Sequence, residues 1–294
     1  MVAVEAAGVN YVDALFIEGR YQIKPPLPFT PGSEIAGVVV AVGEGVATVA
    51  VGDRVLASTG LGGFATHAVV PAASLHRLPD SMDTLRAATF TQSYCTALFA
   101  LHRRGALVPG EAVLVLGAGG GVGLAAVDVG RALGARVVAA ASTGAKRAAA
   151  LGAGAVAAID PGREDLKARA RELAGGTGVD LVVDPVGGDL AQASLRALGD
   201  GGRYLVIGFA SGTIPSLPLN QVLLRNRSVV GVDWGAWAMG HATEQAALLG
   251  ELLGLVSAGR LHPVAPTTFG LDEVAEALDS LTGRRAVGKV ALVP

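Results

Sequence analysis

Hydrophobic positions along the chain change their rhythm near Glu111. Before it they come in short runs: Val2–Gly8, then Ile35-Ala-Gly-Val-Val-Val-Ala-Val42, with turns at Gly43-Glu44-Gly45 and Val51-Gly52-Asp53-Arg54. Gly62–Val70 then alternates apolar with polar. Short strands punctuated in this way predict a small barrel-like β domain. The Pro25-Pro26-Leu27-Pro28 segment cannot enter regular structure. Met82–Arg104 takes a helical pattern.

After Glu111 apolar strand candidates recur at 112–116, 136–140, 155–159, 179–184, 202–207 and 228–232. Helix-like segments lie between most of them, at 122–133, 145–151, 163–174 and 190–198. Strand–helix alternation predicts a doubly wound parallel sheet, an α/β fold with right-handed crossovers and its ligand at the carboxyl ends of the strands. Beyond Asp233 the spacing predicts a helix over 241–257, a strand at 263–269, a helix over 271–282 and a last strand at 288–293. These last pieces are expected to rejoin the first domain, giving a β domain at 1–93 and 235–294 and a nucleotide domain at 94–234.

Composition adds exclusions. The 294 residues carry a net charge of −2, so no basic field points to nucleic acid or an anionic membrane. The chain is 51% apolar but diluted by 42 glycines, and its longest apolar stretches are interrupted, so no bilayer span is expected. Met1–Glu5 shows no basic leader, and a cytoplasmic location is expected. The single Cys95 allows neither an intrachain disulfide nor a cysteine zinc cluster, and it reads as a small buried residue. His67, His76, His102, His241 and His262 lack ligand spacing and read as structural or surface residues.

The most informative stretch is Ala112-Val-Leu-Val-Leu-Gly117-Ala-Gly-Gly-Gly121-Val-Gly123. A strand that enters a tight glycine turn and then a helix aims unpaired backbone N–H groups at one point, which favours a pyrophosphate. The strict G-x-G-x-x-G spacing fails at Leu124, and Ala118-x-Gly120-x-x-Gly123 fits instead. The candidate contacts in the turn are Gly119, Gly120, Gly121 and Val122. The second strand ends at Val137–Ala141 with no Asp or Glu between Val129 and Ile159, where an NAD site wants a carboxylate for the ribose 2′-OH. Ser142, Thr143, Lys146 and Arg147 stand there instead, and this chemistry suits the 2′-phosphate of NADPH. Cations in a helix's first turn oppose the dipole unless an anion joins them.

Several short motifs occur in a fixed order: Ala6-Ala-Gly-Val-Asn10-Tyr-Val-Asp13, Pro31-Gly-Ser33-Glu34-Ile-Ala-Gly37, Val51-Gly-Asp-Arg-Val55, Gly63-Phe-Ala65 and Ala118–Gly123. With these the chain resembles the medium-chain dehydrogenases/reductases, and within them the zinc-independent quinone oxidoreductase branch that includes zeta-crystallin. The resemblance implies a Rossmann-type sheet plus a GroES-like β-barrel domain, NADPH as cofactor and a homodimer. Zinc-dependent members carry Cys, His and Cys where this chain has Asn10, Ser33 and Gln92. The lobe for structural zinc is also missing, so no metal is expected.

Without a Lewis acid the acceptor must take hydride unaided, which suits quinones and α,β-unsaturated carbonyls. By resemblance Asn10, Tyr21 and Thr96 lie near the nicotinamide and substrate, with Asn10 and Tyr21 as the catalytic candidates. Val206, Ile207, Gly208 and Phe209 would pass beside the cofactor, Asp233 and Trp234 would approach its nicotinamide end, and Lys289 would return near the site. Aromatic packing is the competing reading for Tyr21 and Trp234. Tyr11 reads as structural, although a phenol there could donate a proton. Family members have about thirty further residues before this start, and losing them would leave an apolar sheet edge open to association. Reduction of an enal, enone or enoyl C=C bond, and a non-catalytic NADPH-binding role, stay open as alternatives.

Overall fold

The computed structural model describes all 294 residues. By internal contacts the chain divides into two units. The first holds Met1–Gln92, Leu249–Gly259 and Pro263–Pro294, and the second holds Ser93–Leu248 and Arg260–His262.

The chain opens with β1 (Val2–Val9), α1 (Tyr11–Ile17), β2 (Glu34–Val39), β3 (Arg54–Ser58), β4 (His67–Ala68), β5 (Leu75–Arg77) and α2 (Thr84–Ala88). The helical region expected over 82–104 is three pieces: α2, α3 (Thr91–Leu98) and a π-helical stretch at Phe99–Arg104. Thr89 ends α2, and its hydroxyl donates back to the carbonyls of Leu85 and Arg86.

The parallel region follows as β6 (Ala112–Leu116), α4 (Gly121–Ala132), β7 (Arg136–Ala140), α5 (Gly144–Gly152), β8 (Ala157–Ile159), α6 (Leu166–Leu173), β9 (Val179–Asp184), α7 (Leu190–Ala197) and β10 (Leu198–Val206). It ends with α8 (Leu219–Leu223), β11 (Ser228–Gly231) and α9 (Trp234–Gly240). The remainder is α10 (Ala242–Ser257), β12 (Thr267–Gly270), α11 (Val274–Thr282) and β13 (Val290–Val293).

In the second unit six parallel strands lie in the order β11-β10-β9-β6-β7-β8. Every residue of β6 is buried, as expected of a parallel strand covered on both faces. Leu114, Leu116, Val138, Ile159, Val182, Leu195 and Tyr204 belong to one core cluster. The order reverses between β6 and β9, which is the switch point where open α/β sheets bind ligands. The expected domain boundary at 234/235 falls later, at 248/249. Trp234 is held within the second unit, because its Nε1 donates to Gln245 Oε1 at 2.7 Å and Gln245 Nε2 donates to Cys95 Sγ at 3.4 Å.

The first unit is a seven-stranded GroES-like sheet ordered β12-β13-β1-β2-β3-β5, with β4 also on β1. β13 pairs antiparallel with β1, Ala7 opposite Leu292, so the last strand does rejoin the first unit. β1 is not an open edge: β2 lies on one side and β13 and β4 on the other. Exposed apolar side chains of this unit lie elsewhere and include Leu27, Val40, Val42, Val51 and Val69, the last 87% exposed. The strand expected over 62–70 shrinks to His67–Ala68, since Gly60 and Gly62 take left-handed φ of 70° and 87° and bend the chain away.

Candidate functional site

In the second unit the turn after β6 begins at Gly117, whose φ of 58° is left-handed. Gly120 caps α4 with no side chain, and the first backbone bond of the helix is Leu124 N–H to Gly120 O at 2.8 Å. The N–H groups of Gly121, Val122 and Gly123 therefore point out of the helix end, where the dipole adds positive charge. A Cβ on Gly123 would lie 2.2 Å from Gly117 O, so glycine is what lets the helix start this close to the turn. A Cβ on Gly120 would meet nothing nearer than Gly117 O at 3.4 Å, which leaves the cradle open. These features fit a dinucleotide pyrophosphate.

The turn has close neighbours. A Cβ on Gly119 would stand 2.3 Å from Lys146 Cβ, so glycine brings the first turn of α5 against it. Thr143 caps α5 and accepts from Lys146 N–H at 3.3 Å, and Ser142 is exposed just before it. Arg147 has other work: it pairs with Asp160 at 2.8 Å and donates to Ala141 O at 2.9 Å. Of the two cations expected near a 2′-phosphate, Lys146 is the one placed at the turn.

On the other side a Cβ on Gly117 would reach Val186 Cγ2 at 2.7 Å, in the loop after β9. Asp184 shapes that loop by accepting from the N–H groups of Val186 and Gly187, each at 2.8 Å, and from the Tyr204 hydroxyl. Burial, with the Asp184 carboxylate behind it, pushes the Tyr204 phenol well up, so it stays protonated as a donor. Val206, Ile207, Gly208 and Phe209 continue the line, with the N–H of Ile207 bonded to Asp184 O at 2.9 Å. Asp233 caps α9 by accepting from Ala236 N–H at 3.0 Å. Trp234 is buried against Gln245, and Thr96 lies buried in α3.

The first unit holds a polar cluster that the sequence motifs touched only in part. Gly8 stands opposite Glu34 in the β1–β2 pairing. A Cβ there would lie 2.6 Å from Glu34 Oε1, so the glycine makes room for the carboxylate to lie over the sheet. Glu34, 1% exposed, accepts from Asn10 Nδ2 at 2.9 Å, from Lys289 Nζ at 2.9 Å and from the Gln92 backbone N–H at 2.9 Å. Lys289 Nζ also donates to Asn10 Oδ1. Ser33 Oγ accepts from Gln92 Nε2 at 3.1 Å and from Asn10 Nδ2 at 3.5 Å.

Asp13 completes the network from the first turn of α1 as the return half of a capping box, accepting from Asn10 N–H at 2.8 Å. Its other oxygen accepts from Gly32 N–H at 3.3 Å. Burial, opposed by the Asn10 N–H and reinforced by the Glu34 charge, raises its carboxyl to about 7. Tyr21 sets its ring edge-on to Phe16 of α1, with centroids 4.8 Å apart.

Asn10 and Lys289 are thus brought together, and so are Asn10, Ser33 and Gln92, the positions of the zinc ligands in zinc-dependent relatives. Glu34 and Asp13 are the residues that went unassigned. Both were legible in principle: Asn10-x-x-Asp13 has capping-box spacing, and Glu34 at the start of one apolar strand and Lys289 just before another are lone opposite charges that demand a partner. No three His, Cys, Asp or Glu side chains converge to hold a metal ion. No helix is long and apolar enough to cross a membrane.

Residues 1–80 match the family model described as an alcohol dehydrogenase GroES-like domain, and residues 121–249 match the one described as a zinc-binding dehydrogenase. Bos taurus quinone oxidoreductase-like protein 2 is 39% identical, over 99% of this chain and 84% of its own length. The quinone oxidoreductase of Thermus thermophilus, solved also with NADPH, is 36% identical with a TM-score of 0.84, over 100% of this chain and 90% of that one. An enoyl-reductase-type neighbour, the CurF ER cyclopropanase of the curacin A pathway, is 28% identical with a TM-score of 0.88, over 99% and 90% of the two chains. The order of motifs, the parallel sheet with its glycine turn, the GroES-like sheet and these likenesses agree: the chain belongs to the quinone oxidoreductase family of medium-chain dehydrogenases/reductases.

Proposed function

We propose that this chain is a cytoplasmic, homodimeric reductase that passes hydride from NADPH to a quinone without a metal. The observation that carries the reading is what occupies Asn10, Ser33 and Gln92. Two amides and a hydroxyl are weak zinc ligands, and here they are bonded to one another, to Glu34 and to the Lys289 ammonium.

NADPH supplies the hydride when bound. The protein's share is to hold and orient it. The N–H groups of Gly119, Gly121 and Val122 would take the pyrophosphate, with Gly120, whose own N–H is bonded to Gly117 O at 2.9 Å, leaving room beside them, and Ser142 and Lys146 would take the 2′-phosphate. Val206, Ile207, Gly208 and Phe209 would lie along the cofactor, while Thr96, Asp233 and Trp234 would shape its nicotinamide end. Asn10 and Tyr21 would orient the acceptor.

Reduction of an enal, enone or enoyl C=C bond is the second reading, supported by the likeness to the enoyl-reductase-type cyclopropanase. The deciding experiment follows NADPH and NADH oxidation against benzoquinone, a naphthoquinone and a 2-alkenal with no metal added. Quinone reduction with NADPH preferred is expected. Exclusive turnover of the alkenal would favour the second reading, tight NADPH binding without turnover a non-catalytic role, and zinc-stimulated alcohol oxidation would overturn both reductase readings. The homodimer is supported by the edge strand β11 with Val229 exposed, and by Leu219 and Leu223 of α8, 77% and 76% exposed. A monomer by light scattering would overturn it.

A further inference from the structure

Hydride addition to a quinone leaves an oxyanion that needs a proton, and the hydrogen-bond pattern around Glu34 narrows which group can give it. Asn10 cannot, because an amide is no acid at neutral pH and its Nδ2 already donates to Ser33 and Glu34. Asp13 is inaccessible: it is fully buried, and each oxygen is turned to a backbone N–H, of Asn10 or of Gly32. Glu34 is engaged by three donors and is 1% exposed.

Lys289 differs from all of these. An ammonium has three N–H donors, and two are taken, by Asn10 Oδ1 and by Glu34 Oε1. The third has no acceptor in the protein, and the side chain keeps 9% of its surface exposed, more than Glu34 behind it. An ammonium with one N–H left over, on a side chain not wholly closed off and aimed by Glu34 and Asn10, is the one acidic N–H of this cluster that can still reach an acceptor oxygen.

We propose that Lys289 is the proton donor of the reaction, its third N–H bonded to the acceptor oxygen that becomes the oxyanion. This rests on the reductase reading above. The hydride brings both electrons to the acceptor, an N–H bond of the ammonium breaks, and an O–H bond forms on the hydroquinone. The lysine is left neutral beside Glu34. The amine is then reprotonated from water. The charged or titratable groups set against Nζ are Glu34 from β2 and Asp13 from α1. Glu34 is a positioning residue in this scheme, since it aims the ammonium, and Asn10 shares in aiming it beside its own part in orienting the acceptor.

The test uses Lys289→Met and the charge-balanced pair Glu34→Gln with Lys289→Met, which strands no carboxylate if the single variant fails to fold. With NADPH saturating, both are expected to lose at least ~100-fold in kcat for quinone reduction. Both should keep NADPH binding, and both should gain a rate that rises with the concentration of buffer acid. The second readout needs no turnover. 4-Nitrophenol added with NADP⁺ should bind the wild type as the coloured phenolate and the variants as the neutral phenol.

Recovery of kcat in the charge-balanced pair would overturn the proposal, because the loss in Lys289→Met would then come from the stranded Glu34. Loss of NADPH binding with kcat unchanged would overturn it too and assign Lys289 to the cofactor. Failure of the wild-type protein to oxidise NADPH with any of the acceptors, benzoquinone, naphthoquinone or 2-alkenal, sinks the reductase reading itself, and the proton-donor role falls with it.

Discussion

The turn at Gly117–Gly123 is made of consecutive residues and offers backbone N–H groups. The cluster around Glu34 gathers side chains from positions 10, 13, 33, 34, 92 and 289. The turn draws its attraction for an anion from a helix end left uncapped, so it takes no charge out of water. The cluster buries two carboxyls and an ammonium, each costly to desolvate, and holds only while every partner is present. One site is therefore robust to charge and pH, and the other is sensitive to both.

Three measurements press on that contrast. Glu34→Ala should have the largest effect, because it leaves the Lys289 ammonium buried without its carboxylate; a loss of about 3–5 kcal/mol in urea unfolding is expected. A loss no greater than that of an average surface change would mean the cluster is better solvated than its burial suggests.

Asp13 comes next. Its carboxyl is raised in the folded state, from 3.8 to about 7, so the native protein holds this proton more tightly than the unfolded chain. Stability from this group is complete below pH ~4 and is lost as pH rises to ~7, on the order of 4 kcal/mol over that window. Asp13→Asn should remove that fall, so the variant should gain on the wild type in urea unfolding as pH rises through the window. Parallel pH profiles would show that Asp13 titrates normally.

The smallest effect belongs to the turn. Lys146→Ala should weaken NADPH binding by roughly 1.5–3 kcal/mol, the range for hydrogen bonds to charged groups. It should leave NADH binding and stability nearly unchanged. An equal loss for both cofactors would remove Lys146 from the 2′-phosphate.

What was legible in the sequence follows the same divide. β6, β7 and β9 begin and end where the predicted strands do, because a strand covered on both faces is apolar along most of its length, with Arg136, Asp180 and Asp184 as the exceptions. The glycine turn is local, so its spacing could be read directly. The short helices α1, α8 and α9 were not foreseen, since seven or fewer residues hold too little of a helical period to register. Asn10 and Lys289 were placed only through family likeness. Their contact spans 279 positions and depends on the β1–β13 pairing, which no local pattern encodes. Arg147 differs for the opposite reason: its partner Asp160 is near in the chain and follows directly on the carboxylate-free stretch 129–159.

The pairing of β13 with β1 also bears on how the protein is made. A ribosome delivers β1 and β2 early, but the strand that completes their sheet, and Lys289 just before it, arrive only after the parallel sheet of the second unit has been synthesised. Domains tend to fold as units during synthesis. The second unit, nearly contiguous over 93–248, can therefore close first, while Glu34 and Asp13 wait without their cation and β1 has β2 and β4 but not yet β13. The polar cluster around Glu34 is the last part of the molecule to be completed, so a chain stalled shortly before Lys289 would hold the glycine turn and lack the ammonium that pairs with Glu34.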